Sequence, residues 1–150
     1  MRAVVQRVSK AQVAIDGEVV GSIGTGLVVL LGVGSEDGPD DLAFMTRKLV
    51  HLRIFNDSNG KLNLSVADVG AEILLISQFT LYGDCRKGNR PSFTRAAPPA
   101  EADETYQKLA EGLRARGLRV AMGRFQAMMS VSLVNEGPVT LVIDSKKEFH

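Results

Sequence analysis

A glycine–proline pair near the C-terminal end of the sequence is the feature that most constrains the fold. Gly137 and Pro138 interrupt an apolar, β-rich stretch that runs from Met128 to Asp144. Because proline has no N–H to donate to a β-ladder, we expect the pair to form a break, a bulge or an edge. Glycine adopts unusual backbone angles and an X-Pro bond can be cis, so the pair could present bare carbonyl groups to a ligand. A tight turn between two strands is the alternative interpretation.

The hydrophobic pattern predicts a β-rich α+β domain with two helices and an antiparallel start. Asp16-Gly17 is a hairpin signal between the first two strands, and a continuously apolar third strand is expected to be covered on both faces. The predicted strands are residues 2–15, 18–23, 27–33, 72–76, 118–121, 128–134 and 139–143, with residues 62–69 ambiguous. Pro39 and Pro98-Pro99 begin the two helices. The apolar stripes of the helices are Leu42, Met45, Leu49 and Leu52, and Ala102, Tyr106, Leu109 and Leu113.

The size and composition of the chain predict one domain, residues 1–150, with its own core. A single cysteine, Cys85, excludes an internal disulfide and a cysteine-based metal cluster, so a reducing cytoplasm is the expected location. No stretch has the pattern of a secretory signal or the length of a membrane span. The net charge is +1, so any RNA binding would need a local basic patch.

The densest positive stretch of the chain is an irregular segment, residues 83–99. It carries Arg86, Lys87, Arg90 and Arg95, and Asp84 is its only acidic residue. The segment follows directly on a polar strand end, Ser77-Gln78-Phe79-Thr80-Leu81. It is either solvated surface or the part of the protein that a phosphate-bearing substrate meets.

The common catalytic sets are absent from the sequence. Neither His51, in the first helix, nor His150, at the last position, is an obvious base for a serine or cysteine nucleophile. No spacing of His, Cys and acidic residues indicates a metal site, and no glycine-rich segment matches a nucleotide-binding loop. We therefore expect neither a metal nor an organic cofactor.

What remains for chemistry is the polar strand end. Ser77 and Thr80 could be nucleophiles, hydrogen-bond donors or simply strand-end residues. Gln78 could orient a polar substrate or a water, and the backbone N–H groups near Phe79 and Thr80 could form an oxyanion hole. Such a site can work without acid–base side chains if the substrate brings its own reactive group.

Together, two segments resemble the paired signature of the D-aminoacyl-tRNA deacylases, also called D-tyrosyl-tRNA deacylases. They are Ser77-Gln78-Phe79-Thr80-Leu81 and Asn135-Glu136-Gly137-Pro138-Val139-Thr140. The resemblance extends over essentially the whole chain, including the opening residues 1–8 and residues 52–55 and 87–93. Glu136 is a small departure, since many members carry aspartate there.

The resemblance implies an ester hydrolase that releases D-amino acids, and also glycine, from mischarged tRNA, as proofreading in translation. It implies an α+β fold with an antiparallel, β-barrel-like sheet and a homodimer with each active site at the interface. A cis Gly137-Pro138 from one subunit would exclude L side chains from the partner's pocket, and the RNA 2′-OH would assist the reaction. Neither DNA nor a membrane is expected as a partner.

The resemblance also implies roles for particular residues. Ser77, Gln78, Phe79 and Thr80 would line the pocket. Phe125 and Met129 would contact the adenine, with simple core packing as the alternative for both. Arg86, Lys87, Arg90 and Arg95 would bind the tRNA backbone.

Two other hypotheses remain open. A non-catalytic RNA-binding module would hold a tRNA end without turnover. A small-molecule esterase would use Thr80 as a nucleophile and would form an acyl-enzyme.

Overall fold

The structure is a computed structural model that describes residues 1–149. His150 lies outside the described residues. Within them the chain forms two helices, α1 (Pro39–His51) and α2 (Pro99–Ala115), and a short 3₁₀ turn at Phe79–Tyr82. The strands are β1 (Arg2–Ile15), β2 (Glu18–Ile23), β3 (Gly26–Gly32), β4 (Phe55–Asn56), β5 (Leu62–Leu64), β6 (Glu72–Ser77), β7 (Arg119–Met122) and β8 (Ser130–Asp144). No helix in residues 1–149 is both long and apolar enough to cross a lipid bilayer.

Strand β1 organises the antiparallel half of the main sheet. One edge of β1 pairs with β3 along its first half and with β2 along its second half, so β2 and β3 lie end to end. The other edge of β1 pairs with β8 from Arg2 to Ala14. The predicted antiparallel start, with its hairpin at Asp16-Gly17, is therefore confirmed.

The second half of the sheet is parallel, because β3 pairs with β6 and β6 pairs with β7 in the same direction. The prediction of an antiparallel sheet is wrong for this half, and the sheet is mixed. Each parallel pair is joined by a crossover that contains a helix, α1 before β6 and α2 before β7. The alternation of strand and helix along the chain was a signal for this arrangement. The sheet curls into a nearly closed barrel, since Gly21 of β2 approaches the Met122 carbonyl of β7.

The core has two parts, one on each face of the sheet. On one face the helices cover β3 and β6, with Met45, Leu49, Tyr106 and Leu109 fully or nearly fully buried. On the other face the curled sheet encloses a smaller cluster that includes Val28 of β3, Leu74 and Ile76 of β6, and residues of β1 and β2. Strands β3 and β6 are thus buried on both sides, as their continuous apolar runs predict.

Strand β8 passes through the glycine–proline pair without ending. The two strands predicted at residues 128–134 and 139–143 are one strand, and the pair forms a bulge rather than a turn. Between the pairs Gln6–Thr140 and Val8–Asn135, the single residue Arg7 of β1 faces four residues of β8, residues 136–139. These four residues leave the ladder, which removes the need for an N–H on Pro138.

Candidate active site

The polar strand end forms a tight turn at the carboxyl end of β6, here called the site turn (residues 77–82). The Gln78 N–H donates to the Leu31 carbonyl oxygen at 2.7 Å, and the Leu81 N–H donates to the Gln78 carbonyl oxygen at 3.3 Å. The turn packs directly on Gly32 of β3. A Cβ on Gly32 would lie 3.0 Å from the Leu81 Cβ and 3.1 Å from the Gln78 carbonyl oxygen. A glycine at position 32 therefore gives the turn the space to lie close to the sheet.

The site turn presents its signature residues at the surface. Ser77 and Gln78 are partly exposed, Phe79 and Thr80 are exposed, and the Gln78 side-chain amide donates to Thr80 Oγ1. The Phe79 ring meets the Phe93 ring edge-on at 5.1 Å between centroids. The backbone N–H groups of Phe79 and Thr80 precede the first hydrogen bond of the turn, which begins at Leu81. Neither N–H donates to another backbone group in residues 1–149, and an oxyanion hole formed by the two stays a prediction.

Among residues 1–149, no acid–base side chain forms a hydrogen bond with the hydroxyl groups of the turn. Within residues 1–149, neither Ser77 nor Thr80 receives a hydrogen bond from a histidine or gives one to a carboxylate. His51 is at the exposed end of α1. The carboxylate closest in sequence, Asp84, binds Arg86 instead, and these hydrogen bonds lower its pKa to about 2. A carboxylate with so low a pKa is a weak base at neutral pH.

The second signature segment is the bulge in β8, here called the Gly-Pro bulge (residues 136–139). The Gly137–Pro138 peptide is cis, Gly137 has a φ of +124°, and both residues are exposed. Asn135 closes the base of the bulge, because its Oδ1 accepts from the Val139 N–H at 3.2 Å and its Nδ2 donates to Thr140 Oγ1 at 2.9 Å. The two hydrogen bonds of the Asn135 side chain therefore fix the conformation of the protruding backbone.

Arg7 of β1 fixes the bulge from the side, and it is 8% exposed. Its Nε donates to the Glu136 carbonyl oxygen at 3.1 Å. Its Nη1 donates to the Ile54 carbonyl oxygen at 3.0 Å and to Asn56 Oδ1 at 3.2 Å. A Cβ on Gly137 would lie 2.8 Å from Arg7 Nη2. Glycine at position 137 is therefore required both by its positive φ and by the guanidinium beside it.

The structure does not bring the two signature segments together within one chain. Ser77 pairs with Leu31, Leu31 with Ala3, and Ala3 with Ile143, so three strand spacings separate the site turn from β8. The bulge lies opposite Arg7, four residues further along β1 than Ala3. These offsets correspond to about 14 Å across the strands and about 13 Å along them, before the curvature of the sheet is considered.

Phe125 and Met129 lie where the chain leaves β7. The Gly123 N–H donates to the Leu75 carbonyl oxygen near the carboxyl end of β6. The chain therefore leaves β7 at the same end of the parallel strands as the site turn. Phe125 packs against the helix-side core, 6.3 Å from the Tyr106 ring, and Met129 packs against the other core part with its sulfur close to Gly123. Both are partly buried packing residues, and contact with adenine stays a prediction for both.

The four predicted tRNA-backbone residues differ in how their charges are used. Arg86 forms an ion pair with Asp84 at 2.6 Å, and Arg95 forms one with Glu148 at 2.5 Å. Lys87 and Arg90 are exposed, and neither has an ion-pair partner in residues 1–149. The free positive charge of the segment is therefore concentrated at Lys87 and Arg90.

Comparison with known proteins places the chain in a family. The family model described as D-Tyr-tRNA(Tyr) deacylase matches residues 4–144. The chain belongs to this deacylase family. The D-aminoacyl-tRNA deacylase of Desulfitobacterium hafniense (strain DSM 10664 / DCB-2) is 60% identical over 149 residues, which is 99% of this chain and 100% of that protein. The D-aminoacyl-tRNA deacylase of Thermosipho africanus (strain TCF52B) is 53% identical over the same shares of both chains.

Solved structures show the same deacylase fold. The structure of the c-Myc DNA Unwinding Element Binding Protein matches with a TM-score of 0.90 and 43% identity, over 96% of this chain and 98% of that chain. The structure of a probable eukaryotic D-amino acid tRNA deacylase matches with a TM-score of 0.79 at 20% identity, over 95% and 97% of the two chains. The family resemblance inferred from the two signature segments is confirmed by the family model and by the D-aminoacyl-tRNA deacylases that span this chain.

Sequence reasoning missed the two arginines of β1 that contact the signature segments of this deacylase. Arg7 holds the bulge, and Arg2 donates to the Leu81 carbonyl oxygen of the site turn at 3.0 Å. Their acceptors are backbone carbonyl groups 129 and 79 residues away in the chain. No local pattern reveals such contacts, because β1 also carries Gln6, Lys10 and Gln12 among its apolar residues. In residues 1–149, no three His, Cys, Asp or Glu side chains are grouped so that they could hold a metal ion.

Proposed function

We propose that this protein hydrolyses the ester bond of D-aminoacyl-tRNA and releases the free D-amino acid and tRNA. The observation that carries the proposal is the family match over residues 4–144, which includes both signature segments intact. Relatives that span this whole chain are D-aminoacyl-tRNA deacylases by name. The substrate is therefore aminoacyl-tRNA, and the bond that breaks joins the amino acid to the terminal adenosine.

The site turn supplies positioning and charge stabilisation rather than a nucleophile. The exposed N–H groups of Phe79 and Thr80 stabilise the oxyanion that forms when the ester carbonyl is attacked. Gln78 and Thr80, joined by a hydrogen bond, orient the substrate beside them. The 2′-OH of the terminal adenosine assists attack, which supplies the reactive group that the side chains do not. Ser77 lines the same pocket at the strand end.

The Gly-Pro bulge acts as the chiral filter. Its exposed backbone carbonyls occupy the space that an L side chain needs at the substrate Cα, so discrimination works by steric exclusion. The support for this role is the fixed geometry of the bulge, which is held by Arg7 and by Asn135. Glycyl-tRNA has no side chain to exclude and is accepted as a second substrate.

Each active site is completed by a second copy of the chain. The site turn and the bulge of one chain are too far apart to contact one amino acid, so the bulge enters the pocket of the partner. Strand β8 offers a surface for such an association. Its exposed large apolar residues are Val131, Val134, Leu141 and Val142, each between 36% and 45% exposed. Phe125 and Met129 contact the adenine at the edge of this pocket.

The positive segment binds the backbone of the tRNA. Lys87 and Arg90 bind the phosphates with their full positive charge. Arg86 and Arg95 contribute less, because Asp84 and Glu148 neutralise part of their charge. Translation proofreading in the cytoplasm is the setting that this activity requires.

Hydrolysis of matched D- and L-tyrosyl-tRNA in the presence of EDTA tests the proposal. We expect fast release from the D substrate, none above background from the L substrate, and a large loss when the terminal adenosine lacks its 2′-OH. Equal release of D- and L-tyrosine would refute the filter. Binding without turnover would instead support the RNA-binding module.

The esterase alternative is tested by Thr80→Ala with Thr80→Ser as its matched control. A nucleophilic Thr80 requires complete loss in the alanine variant and a trapped acyl-enzyme in the wild type. We expect residual activity in Thr80→Ala and no acyl-enzyme, because in residues 1–149 the Thr80 hydroxyl is hydrogen-bonded to the Gln78 amide and to no base.

A further inference from the structure

Arg2, the first residue of β1, contacts the site turn from beneath. Its Nη1 donates to the Leu81 carbonyl oxygen at 3.0 Å, and its guanidinium lies over the Tyr82 ring at 4.4 Å from the centroid. Leu81 and Tyr82 both belong to the turn. The Arg2 side chain is 11% exposed, so these contacts are largely shielded from water. Such contacts are stronger than those of a solvated arginine.

The last described residues of the chain enclose the other side of Arg2. Its Nη2 donates to Glu148 at 3.0 Å, and the Phe149 ring covers the guanidinium at 4.7 Å from the centroid. Its Nε lies 3.9 Å from a carboxylate oxygen of Asp144, which is buried. The guanidinium therefore lies between two rings and beside two carboxylates, and its Nη1 is directed at the Leu81 carbonyl oxygen.

Glu148 extends the same network to the positive segment. It accepts from Arg95 at 2.5 Å as well as from Arg2. The segment in turn contacts the site turn through Phe93, whose ring meets the Phe79 ring. The site turn is thus connected to Arg2 directly and, through Glu148, to the segment beside it.

A space lined by polar residues adjoins the turn on this side. A cavity of about 210 Å³ borders Tyr82, Arg95 and Glu148, together with residues 34–37. Loss of the hydrogen bond from Arg2 would leave the Leu81 carbonyl oxygen without this donor. The turn would then be held by its packing on Gly32 and Gly34 and by the Gln78 N–H, so a shift of the turn becomes easier. The Phe79 and Thr80 N–H groups would move with it, since they belong to the same short turn.

We propose that Arg2 is a positioning residue for deacylation, which holds the site turn through the Leu81 carbonyl and the Tyr82 ring. It contacts no substrate. The inference rests on the proposed role of the site turn in the deacylase reaction. Because a misplacement of about 1 Å in a catalytic group costs about 100-fold in rate, a small shift of the turn reduces kcat measurably.

The test compares Arg2→Gln and Arg2→Lys with Arg119→Gln as the matched control. Arg119 is also an arginine near a glutamate, but it lies at the opposite end of β6, beside Glu72, and its side chain is 84% exposed. With D-tyrosyl-tRNA as substrate, we expect Arg2→Gln to lower kcat by about 10- to 100-fold with KM changed by less than about twofold. Arg2→Lys keeps a charged donor but lacks the planar guanidinium, so its kcat should lie between those of Arg2→Gln and the wild type. Arg119→Gln should leave both constants unchanged.

Amide hydrogen exchange provides a readout that does not depend on activity. The Gly83 N–H donates to the Thr80 carbonyl oxygen and reports opening of the turn. We expect Gly83 to exchange about tenfold faster in Arg2→Gln, while the Ala71 N–H at the other end of β6 keeps its wild-type rate. An inactive wild type would refute the proposed function, and the exchange rates would still decide the role of Arg2.

Two results would overturn the inference. One is wild-type kcat and Gly83 exchange in Arg2→Gln, and the other is a change confined to KM, which would make Arg2 a binding residue. If Arg2→Gln fails to fold, Arg2→Lys takes its place, because it keeps a positive charge beside Asp144 and Glu148 but lacks the planar fork that reaches the Leu81 carbonyl oxygen. We expect a loss of about threefold in kcat from this variant, and an unchanged kcat would refute the proposal.

Discussion

Replacement of Arg7 by methionine should weaken both the stability and the chiral discrimination of the protein. The stem of methionine fills part of the space of the arginine, so the main loss is three hydrogen bonds. The Ile54 carbonyl is buried and would lose its donor, at a cost of about 1–3 kcal/mol. Water can replace the two part-buried bonds, and the relief from burying a charge offsets part of the loss. We therefore expect the free energy of unfolding to fall by about 2 kcal/mol, which lowers the urea midpoint by about 1 M.

The effect on discrimination follows from the position of the bond to Glu136. Without this bond the Gly-Pro bulge loses its lateral contact and samples positions that leave space for an L side chain. The assay measures kcat/KM for D- and L-tyrosyl-tRNA at a temperature where the variant is fully folded. We expect the ratio of D to L to fall by at least about tenfold, which corresponds to 1.4 kcal/mol of discrimination. Arg7→Lys, which keeps one donor, should lie between the variant and the wild type.

One result would refute this reasoning. If Arg7→Met shows the expected loss of stability but keeps the wild-type ratio of D to L, then Arg7 supports the fold without setting the position of the bulge. A lower rate on both substrates with an unchanged ratio would lead to the same conclusion.

Three further predictions concern other parts of the protein. Gly137→Ala should reduce D-tyrosyl-tRNA hydrolysis at least about tenfold in steady-state assays, because a Cβ meets the neighbouring guanidinium and φ is positive; wild-type kinetics would contradict it. Lys87→Gln and Arg90→Gln should each raise KM for tRNA and reduce the salt slope of binding by about 1, whereas Arg86→Gln, already ion-paired, should change both less. Hydrogen bonds outweigh burial and lower the pKa of Asp41 to about 2, so its carboxylate stabilises the fold above about pH 4. This contribution, about 2 kcal/mol, should disappear between about pH 4 and pH 2 in urea titrations, and Asp41→Asn should lack that pH dependence.

The sequence predicted those parts of the structure that depend on local patterns. The apolar stripes of both helices, the hairpin at Asp16-Gly17 and the strand that ends at Ser77 depend on periodicity and turn chemistry within a few residues. The cis peptide at Gly137 and the family itself were predicted from the resemblance. The local pattern could not show that β8 continues through the pair, because the bulge depends on its register with β1.

The remaining features depend on contacts between distant parts of the chain. The parallel half of the sheet was missed because periodicity identifies a strand without its direction. The ion pair of Arg95 was missed because its partner, Glu148, lies 53 residues away. In the sequence the four positive residues of the segment look alike, and only the fold separates the paired arginines from Lys87 and Arg90.

Strand β1 connects the two signature segments, since Arg2 contacts the site turn and Arg7 contacts the Gly-Pro bulge. Both arginines bind backbone carbonyl groups, so they fix the path of the chain whatever side chains the segments carry. The strand between them is paired on both edges, and its length therefore sets the separation of the two segments. If two chains exchange their bulges, this separation also sets how far each bulge reaches into the partner's pocket. A filter that excludes one methyl-sized group needs that reach to be constant, and a strand paired on both edges is stiffer than a loop.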